Sequence, residues 1–362
     1  SVADIGGRET VRSGFRFHLM QFAMATKIIG VLLILFSSAM LPSLALSLFA
    51  NDGAESAFSV GFGATLVCGL LLWLPTHSLR RDLNIRDGFL VTALFWLVLG
   101  LFGAIPLWLF PDLGLSPAAA IFESISGLTT TGATVITGLD NLPSSLLLYR
   151  QILQWLGGIG IIVLAVAILP MLGIGGMQLY RAESAGPSKE RKLTPRITST
   201  AKALFGIYLL LTTACAICYL IAGMTPFDAI CHAFSTVAIG GFSTHDASLG
   251  YYQQNSVLMV SSLFMVASAI NFGLHFVALQ RKDIRVYSRD SEAAFFLSVL
   301  IIATCVVCVL LVITETFPVQ DGLIHGLFQT VSIATTTGFT TQDFSTWPLF
   351  LPVLLLMLSF MG

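Results

Sequence analysis

Charge is what this chain has least of. Asp, Glu, Lys and Arg together make up 10% of its 362 residues, where a soluble domain carries about 25%. So few charges cannot wet a surface on all sides, and a freely soluble protein is excluded. Cysteine is also sparse. The six residues Cys68, Cys215, Cys218, Cys231, Cys305 and Cys308 all lie in or beside apolar segments. The two C-x-x-C pairs sit on comparable helices with no further ligands nearby, so they read as packing residues rather than a metal or redox centre. No cleavable signal peptide is expected. Residues 1–19 are basic, contain Gly and lack an initiator Met, whereas Met20 is a more natural start. They are expected to be an added stretch or a misplaced start, and the fold is read without them.

Hydrophobic residues are abundant, at 56% of the chain with a mean hydropathy of +0.87. Apolar runs fall at about 22–49, 58–74, 88–110, 145–172, 203–223, 255–279, 293–314 and 347–362. A membrane span needs ~20 such residues, and each run but the last reaches that length. An all-α polytopic membrane protein is therefore expected. Lys and Arg cluster at the N-terminus, after the second run, after the fourth (Arg181 to Lys202) and after the sixth (Arg281 to Arg289). With intervening segments that dip in and return, all of these lie on one side, which the positive-inside rule makes the cytoplasm, together with the N-terminus. The other side carries Asp52, Glu55, Asp112, Asp140, Asp228, Asp246, Asp321 and Asp343. That acidity either draws cations to a mouth or follows from excluding positive charge from translocated loops.

Between the runs a phrase recurs three times: Thr129-Thr130-Thr131-Gly132-Ala133-Thr134, Ala238-Ile239-Gly240-Gly241-Phe242-Ser243, and Thr335-Thr336-Thr337-Gly338-Phe339-Thr340. With Gly132, Gly241 and Gly338 in register, Ser126, Ser235 and Ser332 lie six residues before, and Glu123, His232 and Gln329 nine before. The apolar piece ahead of each phrase is about a dozen residues, too short to cross, and reads as a re-entrant half-helix. The repeating unit is helix, pore helix, Thr/Gly loop, helix. Units are expected at 88–173, 201–280 and 293–362, the last truncated. A two-helix hairpin at 20–87 precedes them, and cytoplasmic loops at 174–200 and 281–292 separate them.

A cation entering a narrow site must exchange water for carbonyl dipoles at little net cost. Carbonyls line up only if the backbone visits unusual φ/ψ, which glycine does most easily. Thr and Ser hydroxyls add oxygens or brace the loop, and the half-helix turns its negative end to the ion. The candidate filter is thus Thr130, Thr131, Gly132 and Ala133, with Ile239, Gly240, Gly241 and Phe242, and Thr336, Thr337, Gly338 and Phe339. Glu123, His232 and Gln329, with Thr134, Ser243 and Thr340, support the loops by hydrogen bonds, or Glu123 adds negative potential at the mouth. Arg150 is expected to pair with Glu123 or Asp140. Asn271, placed mid-helix beside Gly273 and His275, either lines a pore or joins helices. Gly157, Gly158 and Gly160 permit close helix approach.

The stretches Phe122 to Thr134, Leu153 to Glu183, Ser235 to Asp246 and Phe328 to Thr340 resemble the TrkH-type subunits of the Trk/Ktr/HKT cation transporter superfamily. The resemblance runs from about residue 20 to the end. It implies four pore units about a pseudo-fourfold pathway, with Gly132, Gly241 and Gly338 as filter glycines. Gly at the first of these positions goes with preference for K+ over Na+. It further implies a bacterial inner-membrane homodimer with a pore in each subunit, gated by a TrkA-type cytosolic nucleotide-binding ring, with lipid as surroundings. Neither an organic cofactor nor nucleic acid enters. The family pattern has a fourth unit that this chain stops short of, so the expectation is a truncated chain that does not conduct selectively alone. Two other readings stay open. One is a sodium-selective or Na+/H+-coupled transporter of the same fold. The other is an intramembrane serine hydrolase using Ser243 with His245, which lacks the second Gly of a G-x-S-x-G elbow.

Overall fold

A computed structural model of the protein describes residues 23–79, 85–163, 197–348 and 350–361. The tail 1–19 and most of the 174–200 loop, with its basic residues up to Arg196, lie outside the described residues. Those described form helices and connecting turns, with no strand among them.

The chain opens with α1 (Ala23–Ala50) and α2 (Glu55–Trp73). They cross so closely that a Cβ on Gly30 would meet Trp73 N at 2.8 Å and Gly69 O at 2.9 Å. Small residues let helices approach in this way where lipid supplies no hydrophobic drive. A 3-10 turn at Ser38–Met40 interrupts α1.

Three units follow. The first comprises α3 (Ile85–Leu109), the short α4 (Pro117–Leu128) and α5 (Ser144–Val163). The second comprises α6 (Ile197–Ala222), the short α7 (Pro226–Val237), then α8 (Asn255–Ala269) and α9 (Phe272–Arg281). After α10 (Arg285–Arg289), the third comprises α11 (Ser291–Ile313), α12 (Val319–Ala334) and α13 (Leu351–Leu358). Among the described residues four helices are long and apolar enough to cross a membrane: α1, α2, the Lys202–Ala222 part of α6, and α11.

The half-helices have clear starts. Ser116 and Thr225 accept from Ala119 N at 3.2 Å and Asp228 N at 3.1 Å, each followed by Pro at the first helical position. Side-chain caps and N1 prolines are the usual device for beginning a helix. Twelve residues reach ~18 Å, so α4 and α7 stop partway through a bilayer. α12 is longer, at 16 residues.

Each short helix is held by its own unit, and α7 and α12 also by the unit before. α4 packs on α3 and α5, α7 on α6, α5 and α8, and α12 on α11, α8 and α13. One apolar core joins the hairpin to the first unit; a second joins units two and three and takes in Ile159 of α5.

The sixth apolar run departs from expectation. It is not one continuous helix: α8 and α9 meet at 94°. Asn271 is accordingly not mid-helix. It is the exposed N-cap of α9, its side chain accepting from Gly273 N at 2.8 Å. Ile270 before it is extended. The break releases carbonyls from α8, and His275 Nε2 donates to one of them, Ala267 O, at 2.7 Å. Its other ring nitrogen, Nδ1, then accepts from the Tyr287 hydroxyl at 2.9 Å. Apolar composition set the length of this run, while local side chain-to-backbone bonds broke it.

Candidate functional site

The three Thr/Gly loops share one backbone conformation. φ is +56° at Thr130, +54° at Ile239 and +60° at Thr336, then +75°, +80° and +84° at Gly132, Gly241 and Gly338. A non-glycine residue in the left-handed region costs about 1–2 kcal/mol. The same cost taken at the same place three times needs surroundings that impose it.

The pore helices impose it. The loop amides of Thr131, Gly240 and Thr337 donate to the carbonyls of Ser126, Ser235 and Ser332, each at 2.9 Å. Ser126 Oγ donates to Ala133 O, and Ser332 Oγ to Phe339 O, both at 2.6 Å. These two loop carbonyls are therefore turned into the protein. Gly240 O likewise accepts from Gln154 Nε2 at 2.6 Å. By contrast, the carbonyls of Thr130, Gly132, Ile239, Gly241, Thr336 and Gly338 accept from no donor among the described residues.

The loops lie side by side in chain order. A Cβ on Gly132 would collide with Gly240 O, and one on Gly241 with Thr337 O. The corresponding space at Gly338 is open among the described residues. Loop three is also tied to the outer segment of unit two. Thr340 N donates to Ser248 Oγ at 3.2 Å, and Gly250 N to Thr340 O at 3.1 Å.

The residues nine before each glycine reach the loop's far end. Glu123 is fully buried and accepts from Thr134 Oγ1 at 2.9 Å, Val135 N at 3.0 Å and Arg150 Nε at 2.9 Å. His232 Nδ1 donates to Asp228 O at 2.9 Å, since a carbonyl can only accept. Its Nε2 therefore accepts from Ser243 Oγ at 2.9 Å. Gln329 brackets its loop more loosely, 3.5 Å from both Phe339 O and Thr341 N.

Arg150 takes Glu123 as partner, at 2.8 Å, rather than Asp140. It also donates to Thr134 Oγ1 at 3.1 Å and Ser243 O at 3.2 Å, with its guanidinium 4.2 Å from the centre of the Phe242 ring. One buried cation thus touches the first loop and the second.

Asp140 belongs instead to an outer joint. Its carboxylate meets His245 Nδ1, and Asp246 carries the link back by accepting from Gly138 N at 2.9 Å. His245 Nε2 lies 3.7 Å from Asp228, and its ring stacks on Tyr251 at 3.5 Å. Burial works against protonated His245, but the two carboxylates outweigh it and raise its pKa above the usual histidine value. The bond from His245 holds Asp140 below the ordinary carboxylate range despite some burial. Burial would lift Asp228, yet bonds from His245, Thr244 and Thr225 bring it below that range as well. Ser243 and His245 form no hydrolytic pair: the serine hydroxyl is engaged by His232, and the His245 ring faces carboxylates.

Sequence reading missed Gln154 and the roles of Ser126 and Ser332. The serines stood in register six residues before each glycine, which was a signal. Gln154 lies one helical turn after Arg150 in a stretch whose other polar residue is Gln151, and a paired polar stripe in such a helix marks a protein-facing side.

Residues 54–362 match the family model described as TrkH, cation transport protein. The chain is 55% identical over 346 residues to the Trk system potassium uptake protein TrkH of Halomonas elongata, covering 95% of this chain and 71% of that one. It is 50% identical to the protein of the same name from Escherichia coli K12, again over 95% of this chain and 71% of that one. The crystal structure of the potassium transporter TrkH from Vibrio parahaemolyticus superposes with a TM-score of 0.83 at 49% identity, over 94% of this chain and 70% of that chain. With that match over three successive units of helix, half-helix and Thr/Gly loop, this chain belongs to the TrkH family of cation transport proteins.

Proposed function

We propose that this protein takes up potassium across the bacterial inner membrane, through a path lined by carbonyls of the three Thr/Gly loops. The observation that carries the reading is the row of loop carbonyls without donors among the described residues. Thr130, Gly132, Ile239, Gly241, Thr336 and Gly338 repeat it in adjacent loops of one conformation. Backbone carbonyls inside a protein are otherwise paired, and a dehydrated alkali ion is a partner that takes several at once. The relatives' names, potassium uptake proteins, support K+ as the ion, and by the family resemblance glycine at position 132 goes with K+ over Na+. A sodium-selective transporter of the same fold is the second reading, and no side chain at the loops favours it.

The carbonyls of Ala133, Gly240 and Phe339 contribute less in this reading, because Ser126, Gln154 and Ser332 already hold them. Asn271, at the α8/α9 break, has no part in the filter. A cytoplasmic N-terminus, a homodimer and a TrkA-type nucleotide-binding ring docking on the basic loops complete the proposal.

The test is rubidium uptake into liposomes by the complete gene product, with sodium as competitor. Gly132→Ser is expected to lower rubidium-over-sodium discrimination, since the side chain meets both a left-handed φ and Gly240 O. Discrimination equal to the native protein's would remove the filter assignment.

A further inference from the structure

Loops one and three brace themselves. Thr129 Oγ1 bonds Thr131 Oγ1 at 2.8 Å, and Thr335 Oγ1 bonds Thr337 Oγ1 at 2.8 Å. In both, the serine of the pore helix holds the carbonyl after the filter glycine. Loop two has neither device. Ala238 and Gly240 stand where the other loops have Thr, and buried Ser235 Oγ has no partner among the described residues. Yet its φ values match those of its neighbours.

The missing bracing comes from the first unit. Gln154 of α5, fully buried, donates through Nε2 to Gly240 O at 2.6 Å and accepts at Oε1 from Phe242 N at 3.1 Å. The amide spans Gly241 on both sides. A carboxylate could not donate, an ammonium could not accept, and an aliphatic chain could do neither. Glycine at 240 follows from the same contact. Its φ is not left-handed, so conformation does not demand glycine there. The three atoms nearest a Cβ at this position all belong to Gln154: Cδ, Oε1 and Nε2.

We propose that Gln154 is a positioning residue for cation selection, a clamp by which the first unit sets the second unit's filter loop. The proposal rests on the filter reading above. Its test uses the complete gene product in liposomes, with rubidium uptake, sodium competition and thermal unfolding of each variant. Gln154→Ala and the equal-sized Gln154→Glu are expected to lower rubidium-over-sodium discrimination by about tenfold, the factor set by one buried hydrogen bond. Gly240→Thr alone is expected to be as harmful or worse, because it collides with Gln154. In the Gln154→Ala background, Gly240→Thr is expected to restore part of the discrimination, since the space is free and φ permits the residue. Native discrimination in both Gln154 variants overturns the clamp. So does equal harm from Gly240→Thr with and without Gln154. If Gln154→Ala yields no folded protein, recovery of folded protein on adding Gly240→Thr supports the clamp, and failure to recover overturns it. Gly132→Ser separates the two ideas. If that variant shifts discrimination and the Gln154 variants do not, only the clamp falls; if none shifts it, the filter reading falls too.

Discussion

Among single residues the most consequential side chain is Arg150. It is 1% exposed, and its partner Glu123 is 0% exposed. Two charges in such a place are held by each other and by the surrounding Thr134 and Ser243 oxygens. Removing one leaves the other without compensation, which costs about 3–5 kcal/mol. Arg150→Met is therefore expected to lower thermal stability sharply in detergent. The double variant Arg150→Met with Glu123→Leu is expected to be less damaged than the single one. If the double variant is the worse of the two, the pair is not acting as a buried charge couple. Arg150→Lys is expected to rescue little, because an ammonium cannot reproduce the planar contacts to Glu123, Ser243 and the Phe242 ring.

Among the helices, the bend between α8 and α9 is decided by a handful of polar atoms in an apolar run. Asn271 caps the second helix and His275 takes the carbonyl of Ala267. Leaving that carbonyl unpaired costs ~1–3 kcal/mol. His275→Leu is accordingly expected to speed hydrogen exchange through 267–275, with little effect at α4 or α7. Exchange unchanged across the bend in this variant would show that packing alone holds it. Reading the run 255–279 as one continuous helix failed for the same reason: an unbroken stretch of apolar residues reports length, whereas a single Asx cap and one histidine decide continuity. The half-helices were legible because their mark is local, too few apolar residues ahead of each phrase to cross.

Across the molecule, the units are fastened to one another on the acidic side. His245 bridges Asp140 of the first unit and Asp228 of its own. Its pKa is raised above the free value, so its stabilisation is complete below ~6.5 and fades as pH climbs through the raised value. Asp140 and Asp228 are depressed below 3.8, so their share is present above that pH and is lost as pH falls through their lowered values. The joint is strongest in the window between. Thermal stability of the native protein relative to His245→Gln is expected to be greatest near pH 5–6 and to narrow towards pH 9. A difference independent of pH would show that stacking on Tyr251, rather than charge, provides the hold.

Residue order alone specified the class of protein, the threefold repetition and the place of each glycine, because these depend on composition, run length and register along the chain. It also named Glu123 as one of two partners for Arg150. Contacts in the folded chain chose between those partners, turned some loop carbonyls inward and left others free, and brought Gln154 to a loop 86 residues away. The last of these is made where one unit meets the next, the others within a unit. In each, geometry rather than residue type selects the partner, and spacing along the chain does not carry that information.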